Sequence, residues 1–304
     1  MNACAHCGID VHTHVVPEHF PAYAGRGGEA AWPSTVPAQA CHRHVMIAGK
    51  VYRTVSDRAW DGGLRVGDMD DMRLRVQVLS PMPELLSYWM PLADAQPLLR
   101  FLNEHIAALV AAHPGRFYGL GAVPLQDVDA AIRELEHIMG PLGLKGVEIA
   151  GNVNGVPLGD ERLAPFWAAV DSLGAAVFVH PLRPVGRDRL VGPKALEQLL
   201  AFPSETGLAA ASLLTGGVME RHPALRIAFS HGGGTLSALL PRLQHGWSRM
   251  SAVKETMTRS PVELARRFFV DSLVYDTRTL AGLIDLLGHT QILLGSDYPF
   301  QIRD

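Results

Sequence analysis

Short runs of apolar and β-branched residues alternate along the chain with longer segments in which apolar residues recur at i, i+3 and i+4. The first pattern predicts buried strands and the second predicts helices that cover a sheet. Strands are predicted at 8–14, 76–81, 117–124, 146–151, 176–180, 226–231, 268–274 and 292–296. Helices are predicted around 98–110 and over 130–139, 162–173, 205–221, 237–250, 261–267 and 279–287. Eight strands with intervening helices predict a (β/α)8 barrel of the TIM type, whose working face lies at the carboxyl ends of the strands.

One connection departs from this regularity. Residues 17–60 form a Gly-, Pro- and Ala-rich insertion after the first strand, and it is too long for an ordinary connection. We expect it to form a lid or a wall over the working face. The 304 residues, 48% of them hydrophobic, suffice for one large core, so residues 1–304 are expected to form a single domain.

Composition and charge narrow the class of partner. The formal net charge is −3 and no Lys/Arg run occurs, so a small molecule is expected rather than nucleic acid or a membrane. No segment approaches the roughly 20 apolar residues that span a bilayer. The odd number of cysteines, three, argues against a disulfide framework and predicts a cytoplasmic protein. Cys4 and Cys7, together with Cys41 and His44, leave a structural zinc site open as an alternative to a frayed terminus and a loop cysteine.

Side chains of the kind that bind metals stand where several of the strands are predicted to end. They are His12 and His14 in the first strand, His180 in the fifth, His231 in the sixth and Asp297 after the eighth. Alternation along a strand places His12 and His14 on the same face, towards the barrel interior. His12, His14, His180 and Asp297 supply a mixed N/O set that suits Zn²⁺ or a similar divalent ion. His231 is then expected to take a proton from metal-bound water, because an unperturbed imidazole titrates near neutrality.

Two neighbouring residues have competing interpretations. Asp10 shares the face of His12 but lies two residues deeper, which favours a carboxylate behind the ligands over a ligand. Residues 228–232 come one residue from the G-x-S-x-G motif of serine hydrolases, with Ser230 as the nucleophile. Alternation opposes that interpretation, because a His231 that faces the barrel turns Ser230 away from it.

Taken together, these motifs resemble the amidohydrolase superfamily and, within it, the aminocarboxymuconate semialdehyde decarboxylases. The resemblance covers nearly the whole chain and rests on DVHTH, VHP, HGGG, GSDYPF, GKVYR (49–53), residues 60–69, PMPELLSYW (81–89) and FVDSLV. It implies a mononuclear zinc site made by His12, His14, His180 and Asp297, with His231 activating the metal-bound water.

The resemblance also implies how the substrate is held. It assigns Arg53 and Arg242 to the substrate carboxylates, which guanidinium groups bind as a bidentate fork, and it places Trp89 at the substrate. In the family the second arginine comes from the neighbouring protomer, so a homodimer is implied. A bridging lysine, used by binuclear members, would end the fourth strand, whereas Lys145 precedes that strand. One metal ion per site is therefore implied.

The chain departs from the family after His180. There the family has H-P-W and further tryptophans, whereas this chain continues with Pro181 and Leu182 and then has three arginines, Arg183, Arg187 and Arg189. This difference points to an acidic substrate related to aminocarboxymuconate semialdehyde, with its identity left open. Alternatively, the arginines only solvate a variable loop.

The sequence thus predicts a metal-dependent, non-oxidative decarboxylase of an unsaturated or aromatic carboxylic acid. A hydrolase is the first alternative, in which the same site attacks a lactone, an amide or a related carbonyl. A non-catalytic metal-binding scaffold is the second, because the chain lacks the family's tryptophans and ends at Asp304, before the helix that would follow the eighth strand.

Overall fold

A computed structural model of the protein describes residues 8–25 and 32–300. In chain order its strands are β1 (Gly8–Val15), β2 (Ser34–Pro37), β3 (His42–Ile47), β4 (Lys50–Ser56), β5 (Leu74–Pro81), β6 (Phe117–Gly119), β7 (Gly146–Ala150), β8 (Asn152–Val153), β9 (Val156–Pro157), β10 (Ala176–His180), β11 (Arg226–Phe229), β12 (Phe269–Asp271) and β13 (Ile292–Leu293). Each of the predicted strands is present among them. The predicted apolar runs therefore mark the sheet correctly.

Eight of the strands in the described residues are parallel and form a closed ring. Hydrogen-bonded ladders join β1 to β5 and β5 to β6. A second series of ladders joins β7 to β10, β10 to β11, β11 to β12 and β12 to β13. Parallel bridges close the two remaining seams, at Gly121–Val147, Asp10–Leu294 and Thr13–Tyr298. Asp297 N donates to His12 O at 2.9 Å, which joins the two ends of the ring next to the predicted site. The predicted (β/α)8 barrel is confirmed.

The helices pack against this ring. They are α1 (Gly62–Asp71), α2 (Leu92–Ala112), α3 (Val128–Met139), α4 (Ala164–Leu173), α5 (Phe202–Thr215), α6 (Val218–Arg221), α7 (Leu236–Arg249), α8 (Ser251–Thr256), α9 (Pro261–Ala265) and α10 (Thr277–Leu287). The helix predicted over 205–221 is divided because Gly217 has a φ of 71°, a left-handed conformation that ends a helix. None of the helices in the described ranges is long and apolar enough to cross a membrane.

The insertion after β1 contains a three-stranded antiparallel sheet, in which β3 pairs with β2 on one side and with β4 on the other. Its turn between β3 and β4 places Ala48 and Gly49 in the left-handed region, with φ values of 50° and 71°. The last strand carries Tyr52 and Arg53 to the lining of a cavity at the carboxyl ends of the barrel strands.

Several barrel strands end earlier than predicted. β11 ends at Phe229 and β13 at Leu293, ahead of the predicted 231 and 296. Beyond these ends, His231 and Asp297 have positive φ values of 55° and 61°, which an extended strand does not allow. The chain leaves the sheet before it reaches the two predicted site residues, so a turn and not a strand orients their side chains.

The residues of the predicted alternative zinc site lie partly within the described ranges. Cys41 is exposed, with a free thiol, and His44 Nδ1 lies 2.8 Å from Thr54 Oγ1. Cys4 and Cys7 lie outside the described residues.

Candidate metal centre and active site

Four predicted residues form a buried cluster at the carboxyl ends of the barrel strands, namely His12, His14, His180 and Asp297. One ligand atom from each lies within 4.8 Å of the other three. His12 Nε2 and His14 Nε2 are 3.1 Å apart, and Asp297 Oδ1 lies 3.1 Å from His14 Nε2 and 3.4 Å from His12 Nε2. Residues as far apart in sequence as His12 and Asp297 thus lie next to one another.

The partner of each Nδ1 atom determines which imidazole nitrogen faces the cluster. These partners are Asp271 Oδ2 for His12 at 2.7 Å, Pro81 O for His14 at 3.1 Å and Pro181 O for His180 at 2.9 Å. A carbonyl oxygen or an ionised carboxylate can only accept a hydrogen bond, so each Nδ1 carries a hydrogen. In each neutral imidazole the lone pair is then on Nε2, the nitrogen available to a metal.

The cluster fits a divalent cation. Asp297 Oδ1 is fully buried and accepts no well-formed hydrogen bond from the described residues, and a buried charge without a partner is costly. Nitrogen lone pairs packed against a carboxylate oxygen repel one another unless positive charge lies among them. Three imidazoles and one carboxylate provide a donor set of borderline hardness. The structure therefore contains a possible metal site.

Burial and the neighbouring charges shift the pKa values in this cluster. Burial opposes a second proton on His12, but the hydrogen bond to Asp271 and the charge of Asp297 outweigh it and raise its pKa to about 9, so a metal ion that binds at Nε2 displaces a proton. Burial lowers the pKa of His14 and that of His180. For Asp297 burial acts in the opposite direction, yet the close contact with the His14 imidazole and the charge of His12 lower its pKa to about 2. The Asp297 carboxylate is therefore ionised and attracts a cation.

His231 lies beside the cluster. Its ring centroid is 5.4 Å from that of His12 and 5.2 Å from that of His180. Burial, followed by the charge of His12, lowers the pKa of His231 to about 4. An imidazole that titrates near neutrality was predicted, whereas the His231 imidazole is neutral at pH 7 and holds an added proton less tightly than a free imidazole does.

Ser230 precedes His231, and its Oγ lies 3.2 Å from His231 Nδ1. Because β11 ends at Phe229, strand alternation does not apply to these two residues, so that argument against a serine nucleophile was wrong. Burial is the valid argument, since Ser230 is 0% exposed. A hydroxyl without access to the cavity cannot attack a substrate.

Asp271 is a site residue that the sequence argument did not single out. It ends β12 and is fully buried, and its carboxylate accepts hydrogen bonds from His12 Nδ1, His231 N and Gly232 N. Burial favours the protonated acid, but the hydrogen bond from His12 and the charge of that imidazole lower the pKa of Asp271. Its place at the carboxyl end of a barrel strand was an available signal. Asp10 accepts from Ser296 Oγ at 2.5 Å and is not one of the four clustered residues.

A cavity of about 290 Å³ opens onto the cluster. This volume is near the lower end for small-molecule sites and suits a compact ligand. Its polar lining includes His180, His231, Asp297, Tyr52 and Arg53. Its apolar lining includes Met82, Leu182, Phe202, Val274 and Leu283.

Arg53 is fixed in this cavity by a stack of side chains. Its guanidinium carbon lies 3.9 Å from the centroid of the Phe300 ring. The Phe300 ring in turn stacks on His14, with centroids 5.2 Å apart and an interplanar angle of 20°. The structure thus brings one predicted carboxylate-binding arginine next to the cluster of three histidines and Asp297.

The other two predicted substrate-binding residues lie elsewhere in the described chain. Arg242 is exposed on α7 and is not among the residues that line this cavity. Trp89 does not line it either, because its indole ring packs under Arg183, whose guanidinium carbon lies 3.3 Å from the ring centroid. Arg183 also lies 3.8 Å from Glu84. Arg183, Arg187 and Arg189, the basic residues after His180, are likewise not among the residues that line this cavity.

A buried group of three histidines and an aspartate at the carboxyl face of a (β/α)8 barrel is the arrangement of a metal-dependent barrel enzyme. A family model described as Amidohydrolase matches residues 9–304, and the chain belongs to this family.

The named relatives and solved structures that resemble this chain include several decarboxylases. The chain is 38% identical over 298 residues to 2-amino-3-carboxymuconate-6-semialdehyde decarboxylase of Dictyostelium discoideum, an alignment that covers 97% of this chain and 82% of that protein. The structure of 5-carboxyvanillate decarboxylase from Sphingomonas paucimobilis superposes with a TM-score of 0.74 at 26% identity, covering 81% of this chain and 75% of the other. A dihydroxybenzoic acid decarboxylase from a Polaromonas species, with bound manganese and 2-nitroresorcinol, gives a TM-score of 0.70 at 28% identity and covers 82% and 78%. The named relatives are decarboxylases of the same family, so this chain is an enzyme.

Proposed function

We propose that the chain is a metal-dependent, non-oxidative decarboxylase of an unsaturated or aromatic carboxylic acid. The observation that carries the proposal is that Arg53 and His231 line the same small cavity as the histidine and aspartate cluster. A carboxylate-binding cation, a proton acceptor and a possible metal site therefore share one space. The names of the relatives support the same reaction class.

We propose that His12, His14, His180 and Asp297 hold one divalent ion, Zn²⁺ in the first instance. The predominance of nitrogen donors supports zinc. Manganese in the Polaromonas structure makes Mn²⁺ the natural comparison in a reconstitution experiment. When bound, the ion supplies Lewis acidity that polarises an oxygen of the substrate.

The residues of the chain account for binding and for the proton. Decarboxylation breaks the bond between the carboxylate and its carbon, leaves the electron pair on that carbon and requires one proton there. Arg53 binds a carboxylate of the substrate. Because His231 Nδ1 faces the buried Ser230 hydroxyl, Nε2 is the nitrogen left to take up a proton from solvent and pass it to the substrate carbon. The apolar lining keeps water away from the carboxylate that leaves.

In this proposal the insertion after β1 forms a wall of the site. Tyr52 and Arg53 both come from β4 and line the cavity. We propose that residues 17–60 serve this role within one domain over 1–304, and that the protein acts in the cytoplasm, in keeping with its three cysteines.

We propose a homodimer in which Arg242 enters the site of the other copy. The exposure of Arg242 on α7, outside its own cavity, supports this arrangement. Mixing Arg53→Ala protein with Arg242→Ala protein tests it. In a mixed dimer one of the two sites regains both arginines, so random exchange restores up to about a quarter of wild-type activity. If Arg242 acted within its own chain, mixing would restore nothing.

The reaction class is tested by CO2 release from metal-loaded protein over a panel of aromatic and unsaturated acids, beside a panel of lactones and amides. We expect turnover of an acid with stoichiometric CO2, and loss of that turnover in His231→Ala. Faster turnover of a lactone than of any acid would establish a hydrolase at the same site. Metal binding without turnover of either panel would establish a non-catalytic scaffold.

A further inference from the structure

We infer that Asp271 is a positioning residue that joins the metal centre to the proton-transfer turn: one carboxylate fixes the tautomer of His12 and the backbone conformation at His231. The inference rests on the proposed function for the roles of the two histidines. The structural argument for it is independent, because it concerns the hydrogen bonds of a single side chain.

The Asp271 carboxylate is surrounded by N–H donors. Its Oδ2 accepts from His12 Nδ1 at 2.7 Å and from His231 N at 3.0 Å. Its Oδ1 accepts from Gly232 N at 2.8 Å and from Leu273 N at 3.1 Å. Each of these four hydrogen bonds needs an acceptor, so both oxygens of the side chain must accept.

The bond to His12 decides which of its nitrogens is available to a metal. With Nδ1–H directed at Asp271, the lone pair lies on Nε2. That atom is 3.1 Å from His14 Nε2 and 3.4 Å from Asp297 Oδ1, inside the metal cluster. A carboxylate behind a ligating histidine fixes the orientation of the ring and raises its basicity.

The bonds to the backbone hold a turn that has an unfavourable conformation. His231 and Gly232 follow one another in the left-handed region, with φ values of 55° and 62°. A non-glycine residue rarely adopts this conformation and does so where its surroundings enforce it. The peptide N–H groups of both residues are bonded to Asp271. A Cβ added to Gly232 would clash with Val274, so the turn has little room to relax.

An amide at position 271 distinguishes this role from simple packing. In Asp271→Asn one oxygen becomes an NH₂ group, which cannot accept. If the NH₂ group faces His12 and His231 N, the imidazole must move its hydrogen to Nε2 and lose the lone pair in the cluster, and the His231 N–H loses its acceptor. If the NH₂ group faces Gly232 and Leu273, it opposes two peptide N–H groups and disturbs the turn. Either orientation damages at least one of the two functions, although the shape of the side chain is preserved.

The test compares Asp271→Asn with Glu134→Gln. Glu134 is a matched control, because it is also a buried carboxylate with several N–H donors, Arg100 and Asn103, but lies on α3 away from the site. We expect Asp271→Asn to weaken Zn²⁺ binding about 10- to 100-fold in a chelator competition. We also expect an altered visible spectrum of the Co²⁺-substituted protein, and a kcat at saturating metal at least about tenfold below wild type. Glu134→Gln should keep the wild-type metal affinity, Co²⁺ spectrum and kcat, even if its thermal stability falls.

Wild-type Zn²⁺ affinity, Co²⁺ spectrum and kcat together in Asp271→Asn would overturn the inference. Weakened metal binding with an unchanged kcat at saturating metal would overturn the connection to His231. Should Asp271→Asn not fold, ¹⁵N-edited NMR of the wild-type protein replaces it: the inference requires a hydrogen-bonded proton on His12 Nδ1 and fails if that nitrogen is bare. The metal and NMR measurements do not depend on any substrate, so they separate failure of this inference from failure of the proposed reaction.

Discussion

Arg53→Gln removes a cation from the lining of the cavity and leaves a shorter, neutral polar side chain. In the structure the Arg53 guanidinium is half-buried and lies flat on Phe300, beside the metal cluster. A substrate carboxylate at this position would receive charge-assisted hydrogen bonds, which Gln supplies only in neutral form. The expected consequence is weaker binding of the acid.

The size of the effect follows from these contacts. A hydrogen bond to a charged group contributes about 1.5–3 kcal/mol, and half-burial places Arg53 near the middle of that range. A loss of about 2 kcal/mol corresponds to a rise in KM of about 30-fold, at roughly 1.4 kcal/mol for each factor of ten. If Arg53 holds the carboxylate equally in the ground state and the transition state, kcat changes by less than about threefold. Separately, loss of the cation–π contact with Phe300 should lower the free energy of unfolding by about 0.5–1 kcal/mol.

Steady-state kinetics and thermal unfolding on the same preparations give the readout. Arg53→Lys keeps the charge but loses the planar fork, and we expect a KM between those of wild type and Arg53→Gln. Arg75→Gln is the control, because Arg75 is exposed on β5 and its replacement changes the net charge by the same amount. A KM for Arg53→Gln within twofold of wild type, or equal effects of Arg53→Gln and Arg75→Gln, would refute the assignment of Arg53 to the substrate.

Other substitutions test separate parts of the account. His231→Asn should lower kcat by about 10²–10⁴-fold at wild-type metal content, and loss of the metal instead would make His231 a ligand. Asp297→Ala should lower the metal content measured by mass spectrometry of the purified protein, whereas wild-type content would remove Asp297 from the ligand set. Ser230→Ala should retain kcat within a few-fold, because a buried hydroxyl is not a nucleophile, and an inactive variant would revive the serine hydrolase alternative. Glu134→Ala leaves Arg100 and Asn103 without their partner and should lower the free energy of unfolding by about 2–3 kcal/mol in a denaturant titration, with an unchanged midpoint as the contrary result.

The barrel could be predicted from the sequence because each parallel strand is a short apolar run that stands out from the helices around it. The ends of the strands were harder to place. Phe229 is followed by Ser230 and His231, which fit a strand equally well in sequence, but the positive φ of His231 follows from contacts with Asp271, a residue distant in sequence.

The insertion was predicted as a lid or a wall, yet its sheet was not, because the Gly, Pro and Ala of the whole segment obscured the β-branched residues of β3 and β4. Helix α1 was also missed. It begins with two glycines, which oppose helix formation, although Asp61 caps it by accepting from Leu64 N at 3.0 Å.

The candidate site also contains residues that the sequence predicts and residues that it does not. His12, His14, His180 and Asp297 could be found because metal-ligand residue types at strand ends are informative one at a time. Asp271 also stands at a strand end, but its role depends on a contact with His12 across 259 residues of sequence, which the strand pattern does not show. The proposed contribution of Arg242 depends on a second copy of the chain, which a single sequence does not define.

The most direct test of the central claim is CO2 release measured together with metal content, in protein stripped by a chelator and then titrated with Zn²⁺ or Mn²⁺. The account predicts that stripped protein releases no CO2 from an acid that the loaded protein turns over, and that activity returns in proportion to the ion bound, up to one per chain. The His14→Ala protein should neither bind the ion tightly nor recover. Undiminished CO2 release from metal-free protein would contradict the account.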